Sequence, residues 1–272
     1  MINYKMLVLD LDDTLLKSDR TISESTKEHL LRAQKNGIII VLASGRPTYG
    51  IRKIADKLCL SENSGYIISY NGARIVDCKL GKELYACNIK REQLYNLFDM
   101  AIESGAYIQT YVGDYIIASK ANEYTDIEKQ ITGMDILVPD NFKKYVSDDV
   151  VKAIVLQHPD KLAKIEKAWR EKINNTMYMT ISKPFFLEFM NKDVDKSKSI
   201  ERLADMLGIS MSQVIAVGDS YNDLSMIKSA GLGVAMGNNA VELVKDNADY
   251  ITADNDHDGI VMVINKFVLS QK

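Results

Sequence analysis

The chain has 272 residues and a net charge of −3, and 46% of its residues are hydrophobic and 26% charged. These proportions are typical of a globular protein with a buried core, and the slightly acidic balance does not indicate a nucleic-acid-binding surface. No segment approaches the roughly 18 consecutive apolar residues of a membrane-spanning helix. The three cysteines lack metal-binding spacing, which favours reduced thiols in a cytoplasmic protein.

The start of the chain alternates strand and helix patterns. Apolar residues 7–9 predict a strand, and a helix-start signature at 21–24 opens a helix that ends at Gly37. A β-branched run at 38–46 and the segment 65–73 predict two further strands, with a helical pattern between them. Strands that alternate with helices in this way indicate a parallel sheet with right-handed crossovers.

The end of the chain returns to the same rhythm. In order, it predicts a helix (196–208), a buried strand (213–219), a short helix ending at Gly231, a strand (232–237), a short helix followed by a strand (250–252), and a last helix from Gly259. The two ends together predict a doubly wound α/β core around a parallel sheet.

The middle of the chain, residues 85–186, follows a different pattern. Segment 106–119 is predicted as a hairpin about Gly113, which does not fit the alternation of parallel strands and helices. We therefore expect a second, α+β domain at 85–186, inserted into a core that is formed by residues 1–84 and 187–272.

Three acids in four residues follow the first predicted strand, in the stretch DLDD (10–13). Asp10 and Asp12 are two positions apart, so their side chains can face the same way at the sheet edge where ligands bind. Carboxylates so close repel each other unless a cation or a proton intervenes, and Mg²⁺ is a hard cation that oxygen ligands suit. An acidic turn or a helix cap is the alternative interpretation.

A second acidic cluster follows a later strand, in VGDSYND (217–223). Asp219, Asn222 and Asp223 bring three oxygen-bearing side chains to that strand end. Capping of the following helix is the alternative explanation. Two acidic clusters at two strand ends nevertheless favour a shared cation.

Two further segments suit an anion. In LASGRP (42–47), the Ser44 hydroxyl and the backbone N–H groups around Gly45 can hold an anion, although a tight strand-to-helix turn explains the same residues. Lys196 and Lys198 open a helix, where a cation is unfavourable without an anion nearby. A solvated surface charge is the alternative for these lysines.

These four segments, in this order, resemble motifs I to IV of the haloacid dehalogenase (HAD) superfamily: DLDDT, the serine of LASGR, the lysine, and GDSYND. YIISYNGA, the segment from VGDSYND to NADYIT, and DNDHDGI are similar to Cof-type phosphatases, which belong to the IIB branch. In that branch an α/β cap is inserted after the third core strand. The resemblance implies a Rossmann-like HAD core with a cap domain at 85–186 that closes over the site and selects the substrate.

The resemblance also implies a role for each acidic residue. Asp10 would be the nucleophile that forms an aspartyl-phosphate, and Asp12 would protonate the leaving alcohol and then activate water. Mg²⁺ would be held by Asp10, by the backbone carbonyl of Asp12 and by Asp219. Asp223 would orient metal-bound water or Lys196.

The implied phosphate site draws on several segments. Its expected contacts are the Leu11 amide, Ser44, the Gly45 amide, Lys196 and Asn222. Lys196 is preferred to Lys198 because VDKSKSIERL resembles the family pattern VDKGxAL. Asp12 favours a phosphate ester over a halide as substrate, because a halide leaves without a proton.

Four nearby residues have no implied catalytic role. Asp13 stands where many relatives have glycine, and Arg46, Asn71 and Gly72 lie in loops near the predicted site. For these three loop residues, turn formation is favoured over substrate contact.

The sequence thus predicts a Mg²⁺-dependent phosphatase that hydrolyses a small phosphate monoester, with a sugar phosphate as the favoured class. A phosphotransferase or mutase on the same scaffold and a non-catalytic phospho-ligand sensor are the alternatives. The expected partner is a small phosphorylated metabolite, with neither nucleic acid nor a membrane, and the oligomeric state is left open.

Overall fold

A computed structural model gives the structure of residues 4–173, 176–237 and 240–270. Within these ranges the chain divides into two units. The first unit consists of the residues up to 85 and those from 195 onward, and the second consists of residues 86–194.

The described ranges contain fourteen strands and ten α-helices. The strands are β1 (Met6–Leu9), β2 (Ile39–Ala43), β3 (Tyr66–Ser69), β4 (Arg74–Asp77), β5 (Lys82–Ala86), β6 (Tyr107–Val112), β7 (Tyr115–Ala118), β8 (Asp135–Leu137), β9 (Ala153–Leu156), β10 (Met177–Lys183), β11 (Phe186–Asn191), β12 (Val214–Gly218), β13 (Leu232–Ala235) and β14 (Tyr250–Ile251). The helices are α1 (Glu24–Lys35), α2 (Thr48–Lys57), α3 (Arg91–Glu103), α4 (Glu123–Thr132), α5 (Phe142–Tyr145), α6 (Pro159–Ile173), α7 (Lys196–Met206), α8 (Leu224–Ser229), α9 (Glu242–Lys245) and α10 (Gly259–Ile264).

The first unit is built on a sheet with the order β14-β13-β12-β1-β2-β3-β4-β5. Strand β1 pairs in parallel with both β2 and β12, and the parallel pairing continues outward to β3 on one side and to β14 on the other. This arrangement confirms the predicted doubly wound α/β core. It also makes β1 the topological switch point, where such sheets bind ligands beyond the carboxyl ends of their strands.

The central strands of this sheet are buried and consist almost entirely of apolar residues. Every residue of β1, β3, β12 and β13 is buried, as expected for a sheet covered on both sides by helices. Helix α1 is one of the helices that cover the sheet. At its start the Ser23 side chain accepts a hydrogen bond from the Thr26 N–H, and Leu30 and Ala33 are buried in the core.

The predicted strand at 65–73 ends early. Strand β3 stops at Ser69, because Tyr70 and Asn71 adopt positive φ angles of 52° and 55° and turn the chain back. The next strand, β4, therefore runs antiparallel to β3. The sequence patterns did not predict β4 or β5.

The second unit contains a sheet with the order β10-β11-β9-β6-β7-β8. Its pairings are antiparallel except that β7 and β8 pair in parallel, and helix α4 links these two strands. The predicted hairpin about Gly113 is confirmed as β6 and β7, with Gly113 at a φ of 57°. Helices α3 and α6 supply Leu97 and Trp169 to the hydrophobic core of this unit.

The boundary between the units lies later in the chain than the expected 186/187. Strand β11 pairs with β9 and β10, so its residues belong to the second unit, which continues to residue 194. The expected first boundary, 84/85, differs by one residue from the observed 85/86. Among the described helices, none combines the length and the apolar character that crossing a bilayer requires.

Candidate active site

Four neighbouring strands of the first unit end at one edge of the sheet. Asp10 follows β1, Ser44 follows β2, a turn at Tyr70–Gly72 follows β3, and Asp219 follows β12. Because these strands are parallel and adjacent, their carboxyl ends bring residues that are distant in sequence to the same place.

Three carboxylates lie together at this edge. Asp10, Asp219 and Asp223 are all buried, and each offers an oxygen within 4.8 Å of the others. Asp223 reaches the group because a short turn, Tyr221–Asp223, follows Asp219. The Oδ2 atom of Asp223 accepts hydrogen bonds from the N–H groups of Asp219 and Ser220 at 3.1 and 3.0 Å. The Asp223 side chain therefore stabilises the turn that precedes α8 and forms no capping hydrogen bond with α8 itself, and its second oxygen has a further contact.

That further contact is with Lys196, the first residue of α7. Its Nζ donates to Oδ1 of Asp10 and to Oδ1 of Asp223, both at 2.6 Å, and the side chain is fully buried. Burial by itself would lower the pKa of Lys196, but the two carboxylates raise it above its usual value, so the ammonium stays charged. Lys198 is exposed, and its N–H is capped by the Asp195 side chain.

Two acids of this cluster, Asp10 and Asp219, have raised pKa values. Burial raises the pKa of Asp10 well above its ordinary value, and the Asp223 carboxylate adds to this effect while Lys196 opposes it. Burial also raises the pKa of Asp219 to about 6, although the hydrogen bond from Thr14 acts to lower it. No cationic side chain among the described residues forms an ion pair with Asp219. One ammonium among three carboxylates leaves excess negative charge, and the oxygen donors fit a hard metal cation.

The loop after β2 places Ser44 and Gly45 beside the turn after β3. Ser44 is buried, its Oγ accepts a hydrogen bond from the Arg46 N–H at 3.2 Å, and its carbonyl accepts one from the Asn71 N–H at 3.0 Å. A Cβ atom on Gly45 would lie 3.0 Å from Oδ1 of Asn71. These residues therefore do form a turn, and it presents a hydroxyl and a glycine amide at the strand end.

Leu11 and Asp12 begin a wide turn, Leu11–Leu15, that follows Asp10. The Leu11 side chain is fully buried in the core, so any contact with a ligand would come from its backbone. Asp12 lies outside the buried carboxylate group, is exposed, and forms a two-point ion pair with Arg46. In one of these two contacts the Nε of Arg46 donates to Asp12 Oδ2 at 2.8 Å.

Sequence reasoning missed three contacts. The sequence favours a turn over substrate contact for Arg46, and the structure shows that its side chain pairs with the Asp12 carboxylate. Thr14 donates from Oγ1 to Asp219 Oδ1 at 2.8 Å, and its signal in the sequence is a hydroxyl residue four positions after Asp10. Asn71, also assigned to a turn, accepts a hydrogen bond on Oδ1 from Nδ2 of Asn222 at 3.1 Å.

Asp13 has a conformational explanation. Its φ is 58°, in the left-handed region that glycine adopts freely and that Asp and Asn tolerate better than other residues. This conformation is one that aspartate at position 13 can adopt.

The chain also matches known proteins. Residues 7–264 match the family of haloacid dehalogenase-like hydrolases. A 5-amino-6-(5-phospho-D-ribitylamino)uracil phosphatase of Bacillus subtilis is 30% identical over 273 residues, which cover 98% of this chain and 97% of the relative.

Two solved structures have a similar fold. A haloacid dehalogenase-like hydrolase from Bacteroides thetaiotaomicron has a TM-score of 0.92 and 38% identity, and the match covers 97% of this chain and 99% of the other. A HAD subclass IIB sugar phosphatase has a TM-score of 0.78 and 26% identity, with 97% and 98% of the two chains covered.

Replacing Lys196 with Met should lower the free energy of unfolding by about 3 kcal/mol, because it leaves buried carboxylates without their counter-ion. Urea unfolding in metal-free buffer at pH 7, followed by circular dichroism, measures the change. The matched control is Lys198→Met, for which the exposed position predicts a change within about 0.5 kcal/mol. Equal losses for the two variants would contradict the counter-ion role of Lys196.

Proposed function

We propose a Mg²⁺-dependent phosphatase function for this chain, which belongs to the haloacid dehalogenase-like hydrolase family. The observation that carries the proposal is the buried group of Asp10, Asp219 and Asp223 with Lys196 at the switch point of the sheet. Three buried carboxylates with one ammonium are unfavourable for folding alone, so a bound cation and a phosphorylated ligand account for them better. The named relative and the sugar phosphatase neighbour support a monoester of a sugar or sugar-like alcohol as the substrate.

Asp10 acts as the nucleophile. Its carboxylate attacks the phosphorus atom, an aspartyl-phosphate forms, and the alcohol leaves. Lys196 supports this role, because its ammonium contacts Asp10 Oδ1 at 2.6 Å and remains protonated. That contact fixes the carboxylate and offsets the charge of the incoming phosphate.

Asp12 carries the proton. It donates a proton to the oxygen of the leaving alcohol, and it later accepts one from the water that hydrolyses the aspartyl-phosphate. Its exposed side chain supports this role, since a proton carrier must reach both the leaving group and water, and its ion pair with Arg46 opens before it takes up the proton. The buried Asp10, held by Lys196, is less suited to proton exchange.

The phosphate oxygens are held by groups from four segments. These groups are the Leu11 amide, the Ser44 hydroxyl, the Gly45 amide, Lys196 and the Asn222 amide. Each follows a strand of the sheet edge or begins α7, which supports a common ligand for all of them.

Asp10, the backbone carbonyl of Asp12, and Asp219 would hold Mg²⁺. When bound, the ion offsets the repulsion between carboxylate and phosphate and stabilises charge on the transferring group. The hydrogen bond from Thr14 keeps the Asp219 carboxylate oriented. Asp223 orients Lys196, which its contact at 2.6 Å supports.

Substituting Asp10 with Asn should reduce kcat by at least about four orders of magnitude, because an amide cannot form the acyl-phosphate. Steady-state hydrolysis of p-nitrophenyl phosphate with Mg²⁺ measures kcat. Mass spectrometry after an acid quench should detect phosphorylated Asp10 in the native enzyme. Asp13→Asn removes a carboxylate from the same turn and should change kcat less than about tenfold. A fully active Asp10→Asn enzyme would exclude covalent catalysis at this residue.

The raised pKa of Asp219 predicts a pH dependence of metal binding. Its carboxyl is mostly protonated at pH 5 and ionised at pH 7.5, because its pKa lies at about 6 in the fold. Ionising a buried carboxyl whose pKa is raised destabilises the metal-free fold as pH increases through this range, and a bound cation reverses that effect.

Mg²⁺ should therefore raise the melting temperature more at pH 7.5 than at pH 5. Differential scanning fluorimetry measures the melting temperature at each pH, once with a saturating excess of MgCl₂ (about 10 mM) and once with EDTA. Asp219→Asn should reduce the difference between the two pH values, and the remainder is what the titration of Asp10, also a proposed ligand, contributes. A native shift that is as large at pH 5 as at pH 7.5 would contradict ligation by Asp219.

The second unit selects the substrate in this proposal. All the residues with proposed catalytic or metal-binding roles lie in the first unit, and residues 86–194 form an inserted unit with its own sheet and core. Such an insertion is free to differ between relatives without disturbing the chemistry.

Exchanging residues 86–194 for the corresponding unit of the Bacillus subtilis relative should transfer substrate preference. We expect the ranking of kcat/KM over a panel of phosphate esters to follow the exchanged unit. Hydrolysis of p-nitrophenyl phosphate, which lacks a sugar, is the control for intact chemistry. A ranking that stays with the first unit would show that selection lies there.

A further inference from the structure

The turn that follows β3 has an unusual backbone. Tyr70, Asn71 and Gly72 have consecutive φ angles of 52°, 55° and 104°. A left-handed conformation costs about 1 kcal/mol or more for a residue with a side chain, so it persists only where surrounding contacts fix it. Two such residues in a row mark a turn that its neighbours hold in place.

The first neighbour is the loop after β2. The Tyr70 N–H donates to the Arg46 carbonyl at 3.1 Å, and the Asn71 N–H donates to the Ser44 carbonyl at 3.0 Å. The Asn71 side chain also lies so close to Gly45 that a Cβ there would be 3.0 Å from its oxygen. The turn therefore fixes the segment that presents the Ser44 hydroxyl and the Gly45 amide.

The second neighbour is the start of α7. The Ser199 hydroxyl donates to the Gly72 carbonyl at 2.6 Å. A Cβ on Gly72 would lie 2.4 Å from the carbonyl oxygen of Asp195, the residue that precedes Lys196. The backbone of the turn thus packs directly against the helix end that carries the buried ammonium.

The third neighbour is Asn222. Its Nδ2 donates to Oδ1 of Asn71 at 3.1 Å. Within the described parts of the chain, this is the only hydrogen bond between the Asn222 side chain and another residue. The Asn222 side chain is otherwise exposed, so its orientation depends on Asn71.

We infer that Asn71 is a positioning residue for phosphate binding. Its side-chain oxygen orients the Asn222 amide, and its backbone ties the Ser44 loop into the same turn. The inference rests on the proposed function, because it takes Ser44, Lys196 and Asn222 as phosphate contacts. Asn71 acts through these residues and has no assigned contact with the substrate.

The choice of residue follows from two requirements. Position 71 needs a side chain that tolerates a φ of 55°, and Asn is among the few that do. It also needs a neutral oxygen that accepts the Asn222 N–H. Glycine meets only the first requirement, and aspartate would add negative charge beside the bound phosphate.

Asn71→Gly isolates the side chain, because glycine adopts this backbone conformation without strain. The affinity for inorganic phosphate, measured by isothermal titration calorimetry with Mg²⁺ present, should fall about tenfold, the size of one lost hydrogen bond in a binding site. The value of kcat/KM for p-nitrophenyl phosphate should fall by at least about tenfold. The melting temperature should stay near that of the native protein.

Ser64→Gly is the matched control. Ser64 has nearly the same φ, 57°, but precedes β3 and so lies at the opposite end of that strand from the turn. The same relief of backbone strain at Ser64 should leave phosphate affinity and kcat/KM unchanged.

A double-mutant cycle separates positioning from a merely structural role. If Asn71 acts through Asn222, Asn71→Gly should change phosphate affinity less than about twofold in an Asn222→Ala background. Independent, multiplying effects of the two substitutions would overturn the inference, and so would native phosphate affinity in Asn71→Gly.

The phosphate titration keeps this inference distinct from the proposed function. A native protein that binds phosphate but hydrolyses no ester would contradict the phosphatase proposal alone, and the cycle would still decide the role of Asn71. A native protein that binds no phosphate would contradict both.

Discussion

The site depends on one buried ammonium held between two carboxylates. Lys196 is fully buried, and it is stable there as a cation because Asp10 and Asp223 each contact it at 2.6 Å. The same contacts fix Asp10 and bring the start of α7 to the sheet edge. Asp219 has no counter-ion among the described residues, so the three carboxylates together carry more negative charge than this one ammonium offsets.

The sheet makes this arrangement available. Strands β12, β1, β2 and β3 are adjacent and parallel, so each contributes the residue after its carboxyl end to one edge. The loop after β3 contains the left-handed turn at 70–72. This turn contacts both the Ser44 loop and the start of α7. Two backbone hydrogen bonds, the Ser199 hydroxyl and the close backbone contact of Gly72 with Asp195 hold these segments together.

The contacts that sequence reasoning missed share one cause. Arg46 with Asp12, and Asn71 with Asn222, join residues that lie 34 and 151 positions apart. Each of these residues also lies in a turn, so turn formation explains its presence from local sequence alone. Only the folded chain shows that the same side chains also contact another loop.

The sequence by itself determined the doubly wound core, the acids at two strand ends and the inserted second unit, because each leaves a local signal. Apolar strands buried on both faces read as continuous runs, and acidic residues directly after them have no packing explanation. The tertiary structure decided which lysine is buried, where β11 belongs, and that Asp12 pairs with Arg46. These outcomes depend on contacts between distant segments, and neither strand pairing nor side-chain burial is encoded in local spacing.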